Sequence, residues 1–447
     1  MKKNIFILFT LFFFYGTFAQ KADTSESEIL SEVLEDEVSA ETSSNVEDDI
    51  IDSESLTEIT TEERKLFDIP HRVFEIGSNF NYGVSNNYFS TSECLKKELE
   101  VDLRKMADEI GENGLIFDTS MATDLFMNLN LKNGYHAGLS TGIECSGRGV
   151  ISKELFEFLG YGNSLNEDIS FSTDLDADVF AFAKTDFAFF IKDFRVSLGP
   201  SVFLPLFHVE TEECKSHFIN NSDGSIDAAF STTLKINSFL PFDPALSDDL
   251  SLNSDNVTLG FDLDLAVDHQ IFKTLMGRAY MRLPIVPGSM NNLSYTTVTV
   301  SYESDGIIDM LTGEENELKT DTDEMSYEKK KYWISRPFRT GAEVAWRPFG
   351  KYVKFGSLLG FGVKYPWTNE ATAYIEYSFS ADASLFNIIG LNFSSSYLNE
   401  IFIHQVGFML NFRAVELIAG VSAQGTTFSK SFLGSGAGVY AGFRIGW

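Results

Sequence analysis

Gly434-Ser435-Gly436-Ala437-Gly438-Val439-Tyr440-Ala441-Gly442-Phe443-Arg444-Ile445-Gly446-Trp447 closes the chain, and the fold turns on how this stretch is read. Ala437, Val439, Ala441, Phe443, Ile445 and Trp447 occupy every second position, with Gly436, Gly438, Tyr440, Gly442, Arg444 and Gly446 between them. Period two marks a strand with one apolar face and one polar or minimal face. A half-buried strand of a soluble sandwich has the same period, so the rest of the chain must decide between a soluble sheet and a membrane barrel.

Composition leans towards the barrel. The chain carries 42 phenylalanines, more than an acidic soluble protein needs and what a lipid-facing belt uses. Met1-Lys2-Lys3, the apolar run Ile5 to Tyr15 and the small residues Thr17-Phe18-Ala19 predict a cleavable leader over 1–19. No later apolar run reaches the length of a membrane helix. An exported integral chain of this kind has only the closed barrel open to it, because lipid satisfies no backbone hydrogen bonds. The net charge of -31 is uneven. Residues 21–64 hold sixteen acids against Lys21 and Arg64, a balance of -14. Residues 20–66 therefore read as an acidic, disordered periplasmic tail preceding a barrel over 67–447. With no basic stripe to neutralise phosphates, nucleic acid is excluded as a general partner. Cys94, Cys145 and Cys214 are odd in number and far apart, so they make no disulfide framework.

The alternation recurs along the chain. Phe74, Ile76, Phe80, Tyr82 and Val84 share one face of a first strand. The period then shifts: Leu95, Leu99, Leu103, Met106, Ala107 and Ile110 fall three or four apart, predicting an amphipathic helix over 92–110. Inside a β chain such a helix plugs a lumen or lies over a rim. A strand to Leu131 and one from Tyr135 flank Lys132-Asn133-Gly134. A two-residue turn would put their apolar sets on opposite sides. A three-residue turn with Gly134 left-handed pairs Leu131 with Tyr135 and aligns them.

Asp174, Asp176 and Asp178, and later Asp262, Asp264 and Asp268, alternate with apolar residues, so one face of each strand needs water. Arg278 and Arg282 take the polar face of the following strand, placed to pair with the Asp262 and Asp264 row. Together with Arg444 these nine residues are the expected lumen lining. Sixteen candidate strands emerge. The connections 85–117, 147–167, 208–225 and 304–337 are long and share one side, whereas 132–134, 349–351 and 413–415 are short and lie on the other. Residues 240–256 break this parity and point to a miscounted strand nearby. Trp346, Tyr365, Trp367, Tyr397 and Trp447 fall at strand ends, as an interfacial aromatic girdle would.

Chemistry-bearing motifs are sparse. His208, Glu210, Glu212, Glu213, Cys214 and His217 are metal-ligand types, but their spacing matches no zinc pattern and an acidic outer loop explains them. Asp174 to Asp178 lacks the glycine of a calcium loop. No Gly-x-Ser-x-Gly elbow is present, and no metal, cofactor or catalytic residue is expected. A barrel hydrolase with a triad assembled between strands is the enzyme alternative.

Several stretches resemble spirochaete-type outer-membrane barrels similar to the long-chain fatty-acid transporter (FadL) class. They are Phe194-Arg195-Val196-Ser197-Leu198-Gly199 with Phe203-Leu204-Pro205-Leu206, Ile334-Ser335-Arg336-Pro337-Phe338, Asn411-Phe412-Arg413-Ala414 and Gly442 to Trp447. The resemblance covers roughly residues 70–447. It implies an all-β, transmembrane antiparallel barrel of about 14–16 strands, a plugged lumen and passage of hydrophobic solutes. It also implies that Gly442, Phe443, Ile445 and Trp447 form the terminal signal read by the barrel-assembly machinery. The transporters' hatch, with its Asn-Pro-Ala motif before the first strand, has no counterpart here. The helix carrying Leu95, Leu99, Leu103, Met106 and Ile110 is then the plug or gate candidate.

The expectation is an outer-membrane barrel, surrounded by lipid, that passes small hydrophobic solutes such as long-chain fatty acids. The alternative is a surface adhesin or structural barrel without transport. Oligomeric state is not legible.

Overall fold

The structure is a computed structural model that describes residues 72–90, 101–131, 134–222, 225–240, 258–304, 319–322, 326–350, 352–386, 388–398, 401–425, 427–432 and 435–447. The leader, the acidic segment, Leu95 and Leu99 lie outside the described residues.

Eighteen strands join in one antiparallel sheet. The first nine are β1 (Phe74–Asn86), β2 (Leu115–Asn130), β3 (His136–Ile151), β4 (Thr173–Ile191), β5 (Phe194–Asn220), β6 (Ile226–Ser238), β7 (Gly260–Phe272), β8 (Leu275–Val286) and β9 (Gly288–Ser304). The others are β10 (Lys319–Thr322), β11 (Ser326–Ile334), β12 (Phe338–Trp346), β13 (Val353–Lys364), β14 (Thr372–Leu385), β15 (Ile389–Leu398), β16 (Ile401–Asn411), β17 (Val415–Gly425) and β18 (Gly436–Gly446). Among the described residues three short helices, α1 (Leu103–Glu109), α2 (Lys153–Tyr161) and α3 (Phe428–Phe432), interrupt them.

Fourteen strands close a ring. It runs β1, β2, β3, β4, β5, then β7, β8, then β12 to β18, and β18 returns to β1 from Glu75↔Gly446 to Ser85↔Gly436. Alternation assigns the faces. Leu125, Leu359, Ile375, Val421 and Phe443 are exposed, while cross-strand partners of the opposite parity, such as Ser201 and Asp262, are sealed inside. An apolar outer band on a closed sheet is the transmembrane-barrel arrangement, where a lipid-facing Lys or Arg costs ~2–4 kcal/mol at mid-depth.

The remaining strands extend this wall at the end away from the start of β1 and the end of β18. β5, 27 residues long, pairs with β7 over Phe194–Phe203 and with β6 over Phe207–Asn220. β9 continues β8, and β11 precedes β12, so β6, β9 and β11 with β10 stand above β7, β8 and β12. The ring falls within the expected 14–16 strands, and the sixteen candidate strands are reassigned. Residues 208–220 are strand rather than outer loop, and β6 sits off the ring, which removes the parity exception at 240–256.

The turn at 131–135 is as expected: Leu131 N–H donates to Tyr135 O at 2.9 Å, and Gly134 has φ 80°. Of the predicted helix 92–110, residues 92–100 lie outside the described residues. Its described part is α1, capped by Asp102, whose carboxylate accepts from the N–H groups of Arg104 and Lys105. Met106, Ala107 and Ile110 are buried, and α1 is tied to α2 by Arg104 Nε to Gly160 O (2.9 Å) and Tyr161 Oη to Asp108 (2.6 Å). α2 in turn rests on the extension, with the Phe158 and Phe218 rings 4.0 Å apart. The helix pair therefore lies over the far rim.

Candidate functional site

Inside the ring the filling is one-sided. Phe180 on β4 and Phe203 on β5 pack with Met290 on β9 and Ile334 on β11, with Phe182, Tyr332 and Tyr365 against them. The base of the extension thus leans into the lumen, and it supplies the filling that was expected of the helix. An ionic hub anchors it. Arg336 follows β11 and is 1% exposed; its guanidinium donates to Asp262 on β7 (3.1 Å), Glu144 on β3 (2.8 Å) and Ser201 on β5 (3.3 Å). Its plane lies 5.0 Å from the Phe182 ring. Asp262 is fully buried, so each partner of this pair compensates a charge that would otherwise stand alone in a dry interior.

A second cluster lies nearer the far end. His208 Nδ1 meets Asp178 at 2.8 Å, and Tyr332 Oη lies 3.2 Å from His208 Nε2 with the two rings stacked. Tyr365 Oη donates to Asp176 (2.5 Å) and to Asp178 (2.8 Å). Asp176, Asp178 and His208 bring three possible metal donors within 4.8 Å of one another. Their hydrogen-bonding capacity is already used by Tyr365, by Tyr332 and by one another, so the cluster reads as a polar strut between β4, β5, β11 and the β13–β14 connection. Tyr365 is therefore an interior residue, which corrects its place in the girdle; Trp346, Trp367 and Trp447 are exposed.

The expected lining residues fall as follows. Arg282 bonds Asp264 at 2.9 Å, Lys184 joins the same carboxylate at 2.9 Å, and Arg278 and Arg195 approach Asp268 at 3.6 and 3.3 Å. Arg444 meets Glu416 at 3.6 Å near the end where β18 finishes, and Asp174 is exposed at the far end of β4. Arg336, Glu144, Lys184 and Tyr365 are the participants that alternation alone missed. Only the Arg336-Pro337 pair, a charge beside a strand breaker, hinted at one of them.

The wall itself is interrupted. β12 pairs with β8 up to Arg339↔Arg282, and β11 resumes with β9 at Ile334↔Gly288. Between these points Leu283–Pro287 and Ser335–Phe338 share no ladder. Pro284, Pro287 and Pro337 lie in this gap and carry no N–H to bridge it. Trp367 closes over it, its indole N–H donating to Pro284 O at 3.2 Å. The result is a cleft of about 550 Å³ lined mainly by apolar groups, among them Leu283, Ile285, Trp333 and Trp367. A second cleft, about 520 Å³ between α1 and α2, is lined by Asp108, Lys153, Glu154 and Glu157 and reads as a solvated seam.

His404 and Ser431 approach to 2.7 Å on the outer face beneath α3. Ser431 is fully buried and its hydroxyl also donates to Phe428 O, while His404 Nδ1 has no partner among the described residues. No acid orients this histidine, so the pair lacks the third group of an activated nucleophile.

No protein-family model and no curated protein matches the chain. Solved structures do. The toluene transporter TodX of Pseudomonas putida is similar over 88% of this chain and 93% of its own, at 10% identity and a TM-score of 0.41. A Pseudomonas aeruginosa FadL homologue is similar over 84% and 90%, at 10% identity and a TM-score of 0.42. The barrel resembles the FadL type. The translocator domain of the autotransporter NalP from Neisseria meningitidis is also similar, over 88% and 97%, at 6% identity and a TM-score of 0.33. These likenesses concern fold, and nothing in them supports the spirochaete-type part of the resemblance.

Proposed function

We propose that the chain is an outer-membrane barrel that passively admits small hydrophobic solutes through the cleft between β8 and β12. The interrupted ladder carries this reading. An apolar cleft at a break in a lipid-facing wall, backed by the buried Ser335 and Arg336, offers such a solute an apolar entry from the lipid side. FadL-type neighbours named as a toluene transporter and a monoaromatic hydrocarbon channel accord with that solute class. Residues 1–19 serve as the export leader and 20–66 as a periplasmic acidic segment. Gly442, Phe443, Ile445 and Trp447 are presented to the assembly machinery. Asp176, Asp178, Asp262, Asp264, Asp268, Arg278, Arg282 and Arg444 set the interior field and perform no covalent chemistry.

Cells expressing the barrel should take up a radiolabelled long-chain fatty acid or toluene faster than cells without it. Ile285→Trp, which fills the cleft from its exposed side, should abolish the difference. Equal uptake with and without the barrel, at matched amounts of folded protein, would remove this reading. The surface-binding alternative would then stand on β11, where Lys329, Lys330 and Lys331 are exposed.

A further inference from the structure

The side of the lumen opposite the filling has a different character. Cross-strand pairing lines up Ser378 with Ser396 and Ser380 with Ser394 between β14 and β15. It then sets Ser394 against Gln405 on β16, Gln405 against Ser422 on β17, and Gly407 against Gly420. Gly420 faces Tyr440 on β18, Tyr440 faces Asn81 on β1, and Asn81 faces Ala122 on β2. All lie on the inner face, because their chain neighbours Ile375, Phe379, Phe393, Val406, Val421 and Val439 are exposed on the outer one.

Three observations separate this side from the other. Its middle is hydroxyls, amides and glycines, joined by bonds such as Ser394 Oγ to Gln405 Oε1 at 3.1 Å, while Glu376, Asp382, Asp124 and the Arg444–Glu416 pair share the inner face on either side of that band. Much of the strip is wetted: Ser378, Ser380, Ser394 and Gln405 are half-buried, and Asn81 and Ala122 are exposed although they point inward, whereas Gly407 and Ser422 are buried. Across the lumen Phe203, His208, Asp262 and Arg336 are at most 1% exposed. The largest side chain here also lies along the wall. A Cβ on Gly420 would sit 2.4 Å from the Tyr440 ring, so both glycines keep that ring flat and out of the passage.

We propose that this strip is an aqueous lane through the barrel that passes water and small uncharged hydrogen-bonding solutes. It is a second conduction activity, separate from the apolar cleft. The plug seals only the β3–β8 half of the lumen, whose charges are tied in ion pairs. At mid-height the β14–β18 and β1–β2 half presents hydroxyls and amides that can exchange hydrogen bonds with a passing solute at little cost, as a hydrated pore wall does.

Vesicles reconstituted with the full barrel and placed in isotonic glycerol or glucose test this by their swelling rate. Swelling faster than in protein-free vesicles is expected. Ser380→Cys and Ser394→Cys, labelled with a bulky maleimide after reconstitution, should bring swelling down to the protein-free level. Val406→Cys on the outer face should not, and the unsubstituted chain, which has its own cysteines, sets the background. Labelling after insertion keeps folding out of the comparison. No glycerol-driven swelling from vesicles whose barrel shows the gel-mobility shift of folded protein would overturn the proposal. So would labelled Ser380→Cys and Ser394→Cys swelling as fast as the unlabelled forms. Hydrophobic uptake is measured separately, so either activity can fail without the other.

Discussion

Arg336 joins three barrel strands to the filling through one guanidinium. Taking away one partner of a buried ion pair costs about 3–5 kcal/mol, because the other charge is left uncompensated. Arg336→Ala should lower the urea midpoint of the detergent-folded barrel by that order, and Arg336→Met with Asp262→Asn should recover part of the loss. A wild-type midpoint for the single variant would show that the hub carries no stability. Tyr365 makes a different prediction, one of pH. It lies in the β13–β14 connection, where burial and then the charges of Asp178 and Asp176 push its phenol far above the ordinary value. Above about pH 10, where an unperturbed tyrosine ionises, the unfolded chain releases this proton and the folded chain keeps it. Unfolding is then favoured, so stability is fully present below that pH and falls as pH rises. Denaturation midpoints between about pH 9 and 11 should slope downward for the natural chain and less for Tyr365→Phe. Identical slopes would mean that the phenol holds no raised affinity for its proton.

At the scale of elements, the tightest constraint is the turn between β2 and β3. Gly134 is left-handed, and a Cβ there would lie 2.1 Å from the Phe190 ring. Gly134→Ala should cost about 1–2 kcal/mol from backbone conformation alone, with steric strain added to it. An unchanged refolding midpoint would show that the turn relaxes freely. This turn was legible in advance because a register slip would have turned one strand's apolar face into the lumen, and only one loop length avoids that. Alternation likewise exposed β14 and β18, where one face meets lipid and the other water. It failed for the upper half of β5. Glu210, Glu212, Glu213 and Lys215 put charge on both faces, which reads as loop wherever a strand rises clear of the lipid. For the helix, the period was real over Leu103 to Ile110 and left plug and rim both open, because period says nothing about where a helix docks.

For the molecule as a whole, closure rests on β1 meeting β18 and on Val73 N–H donating to Trp447 O at 2.7 Å. The Trp447 ring is 75% exposed, so its side chain adds little to the seam. Trp447→Ala should therefore leave detergent refolding unchanged yet reduce the amount inserted in cells, as a recognition signal would. Equal losses in both settings would assign the ring a packing role instead. The lumen was legible as a polar face but not as a filled one. Arg336 and Glu144 are 192 residues apart, and no periodicity relates side chains that meet across a ring. The gap in the wall has a consequence of its own. Three prolines take three N–H donors from its rim, so a β8–β12 ladder cannot run unbroken across it. If solutes enter here as proposed, no ladder has to break first, and uptake should rise in proportion to solute concentration, with no saturation from a slow opening step.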